Sequence, residues 1–571
     1  MVHFSYPPSM RRDLSALTEG HFDLVIIGGG INGLAAAWDA SLRGLSVALI
    51  DKGDFGAATS AGSLKLIHGG LRFLQQLDLR SLRESVLERK NLLYLAPHLV
   101  HTIPFFIPTY GHGMRSKEIL TVGMKLFEMM SLDHNSLSDP SKHIPSHESF
   151  SRRQVLGMIP GLKSERLTGA ILYHDGQMCN SDRLTLAFAL SSAETGAKLA
   201  NYCEAIGFLR NGEVLEGVQV KDRLEGSKFE IRGRMVLNTT GPWAEITCGF
   251  LASSSPNRMM RRSKGIQILT RSLTGKRALG VYSRHKDETV LLNRGSRLFF
   301  ITPWKGHSLV GTTDELFEGD PDEFKITEQD VLELIEEVNE AFPSARLMRE
   351  DVLFAFGGLR PITEKDVDKK GLQLAKVAEI QDHALDSRPV HNLITVVGAK
   401  YTTCRSLAKQ ALDLVCTRLG KGGPCRTSQL RLWGGKIDDF QLFVSEELAE
   451  IARNFGPRAA SHLGYNYGSE YGLILDLVAE NPNWAKPITE DRPVLFAELV
   501  RAVRDEMAVK LEDVILRRTE LGSLGFPGEE CLKRCGEWMS RELSWDSARL
   551  ELEINEARQA FEPCLPRTDS I

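Results

Sequence analysis

No CxxC pair occurs in this chain, although it carries nine cysteines among 571 residues. Cys531 and Cys535 lie four apart in a stretch of helical composition with no histidine beside them, so no metal site is expected there. Scattered thiols in odd number predict reduced cysteines, not a disulfide framework. No apolar run reaches 18 residues, so no segment has the length of a membrane-spanning helix. The first 17 residues contain Pro7 and Pro8 and no continuous apolar stretch, which reads as neither a signal peptide nor an anchor. An excess of one charge is also missing. With 70 basic and 74 acidic residues the formal charge is −4, which argues against nucleic acid as the main partner. Internal repeats and low-complexity tracts are lacking too. What remains is ordinary globular composition, 42% hydrophobic and 25% charged, in a chain too long for one core.

Residues 22–51, FDLVIIGGGINGLAAAWDASLRGLSVALID, are the most informative segment. Residues 22–27 form an apolar run rich in β-branched side chains and read as a buried strand. Gly28, Gly30 and Gly33 have the GxGxxG spacing, residues 34–43 have helical composition, and residues 47–50 read as a second strand ending at Asp51. The first glycine permits a tight turn, the second lets a pyrophosphate approach the backbone, and the third lets helix and strand close on each other. The helix start presents N–H groups to phosphates, and an acid 18 residues after Gly33 can accept from a ribose hydroxyl. The pattern predicts a dinucleotide site, and the acid disfavours a 2′-phosphate.

Residues 1–21 read as a mobile lead. Residues 53–72 are a loop rich in small residues, and 79–97 an amphipathic helix carrying Leu79, Leu82, Val86, Leu87, Leu92 and Leu93. Residues 233–243 and 391–415 look like further strands of the cofactor sheet, so that layer is interrupted by inserted segments. The alternation in 260–315 predicts antiparallel strands on the substrate side, including 288–294. Residues 327–341 read as a helix capped by Thr327. The expected class is α/β: a Rossmann-like dinucleotide-binding domain over 22–418 (about 22–80, 165–258 and 350–418), with interleaved antiparallel substrate segments (about 81–164 and 259–349). A linker at 419–439 then leads to a helical cap domain at 440–571.

VIIGGGINGLAAAWDASLRGLSVALID, ATSAGSLKLIHGGLRFL, LNTTGPW, FITPWKGHSLVGTTD, FGGLRPI and VVGAKYTTCRSLA together resemble the FAD-dependent glycerol-3-phosphate dehydrogenases of the D-amino-acid-oxidase-like flavoproteins. VRDEMAVKLEDVILRRTELG resembles that family's C-terminal domain, so the likeness covers most of 22–525. It implies noncovalent FAD, oxidation of sn-glycerol 3-phosphate to dihydroxyacetone phosphate by hydride transfer to flavin N5, and electron delivery to quinone. It also implies a cytoplasmic chain held peripherally at the inner face of the membrane; a homodimer is compatible. Another polyol phosphate such as a tetritol phosphate, or oxygen as acceptor, stands as the alternative. A structural flavin in an assembly or nucleic-acid-binding protein stands as a third reading.

The resemblance sets Asn32, Thr59, Ser60, Lys65, Leu66, Gly241, Trp243, Gly398 and Thr402 beside Gly28, Gly30, Gly33 and Asp51 at the cofactor. His68, in LIHGG, is a residue type suited to proton transfer and is read as catalytic base or as flavin contact. Lys400 lies just before a helix start, where the dipole repels a cation by about 0.3–1 kcal/mol, so it makes sense beside an anion; a solvated lysine is the alternative. Arg360, in GGLRPI, can grip a phosphate through two parallel bonds or pair with an acid. Arg297, Thr313 and Asp314 are further substrate-side candidates, with a strand-surface arginine and a turn-forming pair as the bland readings. Gln267 stands where the family commonly has histidine, and can orient a hydroxyl but not act as a base.

Residues 112–132, HGMRSKEILTVGMKLFEMMSL, are methionine-rich, with Arg115, Lys117 and Lys125 flanking apolar positions. They are the candidate for membrane or quinone contact, with Met124 and Phe127 facing lipid. A helix packed in the core or at a subunit interface is the other reading.

Overall fold

The structure is a computed structural model that describes residues 10–71, 73, 78–111, 116–131, 135–251, 260–286, 296–362, 367–368, 371–372 and 378–562. The apolar run at the start of the dinucleotide unit forms strand His21–Ile27, buried beyond its first residue. It pairs in parallel with Val47–Ile50 on one side and with Lys228–Asn238 on the other. Lys198–Ala200 and Leu393–Val397 extend the sheet outward, also in parallel. The chain thus departs in both directions from its first strand, and a crevice opens beyond that strand's carboxyl end.

Helix Ile31–Leu42 begins at this crevice and lies among helices Ser181–Glu194 and Cys404–Leu419. Its alanines let the neighbours approach, and Trp38 meets Phe188 edge-on at 5.7 Å. The same continuous core contains Leu463 and Val500. The C-terminal helices therefore pack directly on the cofactor layer.

A second, ten-stranded sheet faces this layer. Arg261–Thr270 runs antiparallel to both His307–Gly311 and Val352–Ile362. Ser296–Trp304 joins His307–Gly311 to Ala278–Lys286, again antiparallel, and Ala278–Lys286 runs parallel to Val100–Tyr110. Leu66–Ile67, from the loop after the dinucleotide unit, pairs with Gly176–Gln177. This short stitch brings the loop of one sheet to the edge of the other and sets both around a single space.

Several expectations need correction. Leu167–Met178 and Val352–Ile362, read as cofactor-layer segments, are strands of the second sheet. A strand's own pattern says that it is buried but not which sheet it joins. Residues 10–20 are not a loose lead: Leu14–Thr18 is helical, Met10 N–H donates to Asp505 O (3.0 Å), and Arg12 pairs with Asp222 (2.7 Å). The 419–439 segment lacks regular structure after the helix ends, yet it buries Leu432, Trp433 and Ile437 in the main core. Residues 288–294 lie outside the described residues, and Ala278–Lys286 supplies a strand the sequence did not announce. Helix Glu328–Ala341 starts as expected, with Thr327 and Asp330 forming a capping box.

Candidate active site

Between the sheets lies a cavity of about 860 Å³, within the usual range for ligand sites. The glycine turn closes one end. Gly28 has φ +104°, and a Cβ there would stand 2.8 Å from the Thr239 carbonyl. A side chain on Gly33 would overlap the Gly28 carbonyl, so this glycine packs helix on strand and does not line the cavity. Gly28, Gly30, Asn32, Asp51, Thr59, Ser60, Leu66, Gly241, Trp243, Gly398 and Thr402 all do. Ser60 Oγ accepts from Ile31 N–H (3.0 Å) at the helix start, and Thr59 Oγ1 donates to Leu359 O (2.7 Å). Asp51 Oδ2 accepts from Gly29 N–H (2.6 Å) and Oδ1 from Gly53 N–H (2.8 Å). Burial still pushes this carboxyl up to about 6 against the pull of both N–H groups.

The wall has unmet hydrogen-bonding capacity where a dinucleotide would lie. Asn32 Nδ2 donates to Gly398 O (3.4 Å), but its Oδ1 is buried with no partner among the described residues, as is Ser63 Oγ. Both residues line the cavity. A buried orphan acceptor costs about 1–3 kcal/mol, and a polar ligand at a glycine-cleared helix start would relieve it. The residues therefore fit FAD.

His68 follows the two-residue strand Leu66–Ile67 into the cavity, with its side chain 45% exposed. Its N–H donates to Thr402 Oγ1 (3.0 Å), and its ring lies 5.8 Å from that of Phe300. Its Nδ1 stands 3.5 Å from Asp175 Oδ2. The other oxygen of Asp175 accepts from Gly69 N–H (2.7 Å) and Arg89 Nη1 (2.8 Å). Burial opposes ionisation of Asp175, but the Arg89 charge and the His68 contact outweigh it and hold the carboxyl below its usual range. Arg89 is itself wholly buried, and its guanidinium fills the space a side chain on Gly69 would take. The chain Arg89–Asp175–His68 is an imidazole oriented by an anion, with the anion fixed by a cation.

Arg360 and Lys400 also line the cavity. Arg360 Nη2 donates to Thr313 O (2.6 Å), to Ser263 Oγ (3.1 Å) and to Asp314 Oδ1 (3.1 Å), and the guanidinium lies over Gly265, where a Cβ would come within 2.6 Å of it. Lys400 Nζ sits 4.0 Å above the Phe73 ring. Gln267 lines the cavity, but its amide is committed: with the orientation that satisfies its neighbours, its nitrogen donates to Gly62 O (3.1 Å) and Phe356 O (3.0 Å), and its oxygen accepts from Thr312 Oγ1 (2.9 Å). It ties the cofactor loop to the second sheet.

Other candidates lie elsewhere. Lys65 is buried behind the wall, donating to Ser181 Oγ (2.7 Å) and Ala61 O (3.4 Å), and burial lowers its pKa. Thr313 Oγ1 accepts from Ile266 N–H (3.0 Å), and the adjacent Thr312 is the threonine that faces the cavity. Asp314 accepts from Arg360 and Ser263 and lies behind the lining. The side chain of Arg297 falls outside the described residues. Asp175 and Arg89 were missed. For Arg89 a signal existed: position 89 falls on the apolar stripe of its helix with Leu82 and Val86.

Helix Lys117–Met129 forms one side of the cavity through Ile119, Leu120, Gly123 and Met124. Met124 and Phe127, expected to face lipid, are both 4% exposed and pack with Leu82 and Val86. The outward residues are Ile119, Val122 and Met129, at 41%, 69% and 59% exposure. Residues 112–115, with Arg115, lie outside the described residues.

A model of the family FAD dependent oxidoreductase matches residues 23–398, and one of the C-terminal domain of alpha-glycerophosphate oxidase matches 425–550. The glycerol-3-phosphate dehydrogenase of Synechocystis sp. is 32% identical, covering 97% of this chain and 99% of its own. The mitochondrial glycerol-3-phosphate dehydrogenase of Bos taurus is 31% identical over 97% of this chain and 75% of its own. The X-ray structure of the glycerol-3-phosphate dehydrogenase from Bacillus halodurans complexed with FAD matches the fold with a TM-score of 0.76, at 24% identity, covering 98% of both chains. Cavity, glycine turn and relatives agree, and the chain belongs to the family of FAD-dependent glycerol-3-phosphate dehydrogenases.

Proposed function

We propose that this chain oxidises sn-glycerol 3-phosphate to dihydroxyacetone phosphate and passes the electrons to a quinone at a membrane surface. One observation carries the reading: an oriented imidazole, His68, shares a single cavity with two cations, Arg360 and Lys400. Relatives named for this substrate cover 97% of the chain. Bound FAD supplies the acceptor for the hydride that leaves the alcohol carbon. The remaining work falls to the protein's side chains. His68 takes the hydroxyl proton, and Asp175 stabilises the imidazolium that results. Arg360 and Lys400 hold the phosphate dianion. The three bonds already made by Arg360 Nη2 fix the plane of its guanidinium before substrate arrives.

The acceptor side rests on the apolar part of the cavity, lined by Ile107, Leu120, Met124, Leu298 and Phe300, which suits a quinone ring. Ile119, which also lines it, continues into an exposed apolar stripe with Val122 and Met129 at helical spacing. Such a stripe beside Lys117 and Lys125 suits docking on lipid headgroups. No helix among the described residues is long and apolar enough to cross a membrane.

An anaerobic titration of the holoenzyme with glycerol 3-phosphate tests the core reading. Stoichiometric bleaching of the flavin is expected; a flavin left oxidised refutes it. Reoxidation with a soluble quinone, compared with oxygen alone, tests the acceptor: rapid reoxidation by oxygen alone assigns oxidase chemistry instead. Liposome flotation tests the surface, with Val122→Glu, Met129→Glu expected to reduce it and unchanged flotation removing the idea.

A further inference from the structure

The loop after Asp51 is gripped from a distance. Asp54 lines the cavity, with its carboxylate buried beneath the lining. Its Oδ2 accepts from Arg517 Nε (2.7 Å) and Arg518 Nη1 (2.7 Å), and its Oδ1 from Arg518 Nη2 (2.7 Å) and Asn201 Nδ2 (3.0 Å). All three charged side chains are nearly or fully enclosed. In an α-helix consecutive side chains diverge by about 100°. Here the wider π-helical turn Asp513–Arg518 lets two consecutive arginines converge on one carboxylate. Arg517 Nη2 is braced by Asp513 Oδ1 (2.7 Å), which also accepts from Tyr202 OH (2.6 Å), and Arg518 Nε donates to Glu506 O (2.8 Å). Burial works against the Asp54 anion, yet the two guanidinium charges hold its carboxyl well below the usual range.

From Asp54 the constraint runs two residues to the phosphate turn. Gly56 N–H donates to Gly29 O (3.0 Å), and Ser60 Oγ accepts the Ile31 N–H (3.0 Å). The loop is thus bonded to the C-terminal helices at one end and to the helix start that faces the cofactor at the other. We propose that Asp54, clamped by Arg517 and Arg518, couples docking of the C-terminal domain to retention of the dinucleotide. The three are positioning residues, and the proposal rests on the cavity holding FAD. Coupling is reciprocal, so whatever the clamp does for FAD, FAD does for the clamp.

The test uses the full chain, stripped of flavin and titrated with FAD, with amide hydrogen exchange followed over 506–519. Asp54→Asn is compared with Asp139→Asn, which disturbs another contact docking the C-terminal helices, Phe440 N–H to Asp139 Oδ2 (3.0 Å), away from both the loop and the clamp. Asp54→Asn is expected to weaken FAD binding by at least about tenfold, about 1.4 kcal/mol, while Asp139→Asn stays within about twofold of the parent. FAD is expected to slow exchange over 506–519 in the parent and not in Asp54→Asn. Equal weakening in both variants, an unchanged FAD affinity in Asp54→Asn, or exchange indifferent to FAD overturns the coupling. Where Asp54→Asn does not fold, Arg518→Lys, which keeps the charge and loses the fork, is judged by the same measurements. A parent that takes up no FAD sinks the cofactor reading instead, so the two failures are distinguishable.

Discussion

Replacing Asp175 by Asn keeps the shape behind His68 and removes one charge. The imidazolium formed when His68 takes a proton then loses its anion at 3.5 Å. A unit pair at that distance is worth about 1.2 kcal/mol at a dielectric of about 80 and about 2.4 kcal/mol at about 40. The higher dielectrics apply because the imidazole is nearly half exposed to the cavity. The expected loss is about 7- to 60-fold in the rate of flavin reduction, with KM little changed. Stability also falls, because Arg89 is left in the core without its counter-charge, an arrangement that costs about 3–5 kcal/mol. The assay is therefore stopped-flow flavin reduction under anaerobic conditions, well below the melting temperature, at matched FAD content. The double variant Asp175→Asn, Arg89→Met separates the two effects: removing the stranded cation restores part of the stability but not the rate. A single variant that reduces its flavin within about twofold of the parent rate refutes the base role of the pair.

Arg360→Ala removes charge-assisted bonds worth about 1.5–3 kcal/mol, so KM for glycerol 3-phosphate is expected to rise about 10- to 150-fold while FAD stays bound; an unchanged KM refutes the phosphate role. Burial raises Asp51 to about 6 in the cofactor-free protein. Its ionised form therefore costs stability as pH climbs from the unfolded value of about 3.9 through that point, and a ribose hydroxyl that prefers the anion repays the cost. FAD binding is expected to weaken below about pH 6, by up to about tenfold per pH unit, and to lose this slope in Asp51→Asn; isothermal titration giving a flat Kd rejects the assignment. Burial alone would lower His462, but Glu498 at 2.8 Å and Glu520 at 3.2 Å push it up to about 10. The stability this pairing confers is complete below about 6.5 and is lost as pH rises from there through about 10. The melting temperature should fall across the alkaline range in the parent and stay flat there in His462→Gln; equal slopes in calorimetry refute the link.

The cofactor layer was readable because its information is local. Strand, glycine turn, helix and acid lie within residues 22–51, and each has its own propensity and spacing. The helix at Glu328–Ala341 was readable for the same reason, its cap and first-turn acids being adjacent. The second sheet was only half readable. Alternation announced strands near 261–311, but nothing local told Leu167–Met178 or Val352–Ile362 which sheet to join, since pairing partners are chosen by contacts made after collapse. Adjacent threonines made the same point at smaller scale: in extended chain neighbours face opposite ways, and Thr312, not Thr313, faces the cavity.

The layer behind the site divides along the same line. Arg89 violates a local rule, a cation on the buried stripe of an amphipathic helix, so it was detectable as a charge in need of a partner. Its partner was not, because Asp175 sits 86 residues away on a strand of the second sheet. The arginines at 517 and 518 violate nothing: in an amphipathic helix with mixed charge they pass as solvated residues. Their carboxylate lies 463 and 464 residues upstream. A buried ion cluster assembled across that separation leaves no periodicity in either segment, because each charged residue is explained only by the other. Closing such a contact is paid for once, by folding, and the C-terminal helices share a core with the dinucleotide helix, so the entropy of bringing Arg518 to Asp54 is already spent by apolar packing. Placing the charges there adds little entropic cost and fixes a loop that the apolar contacts alone would leave free to shift against the glycine turn.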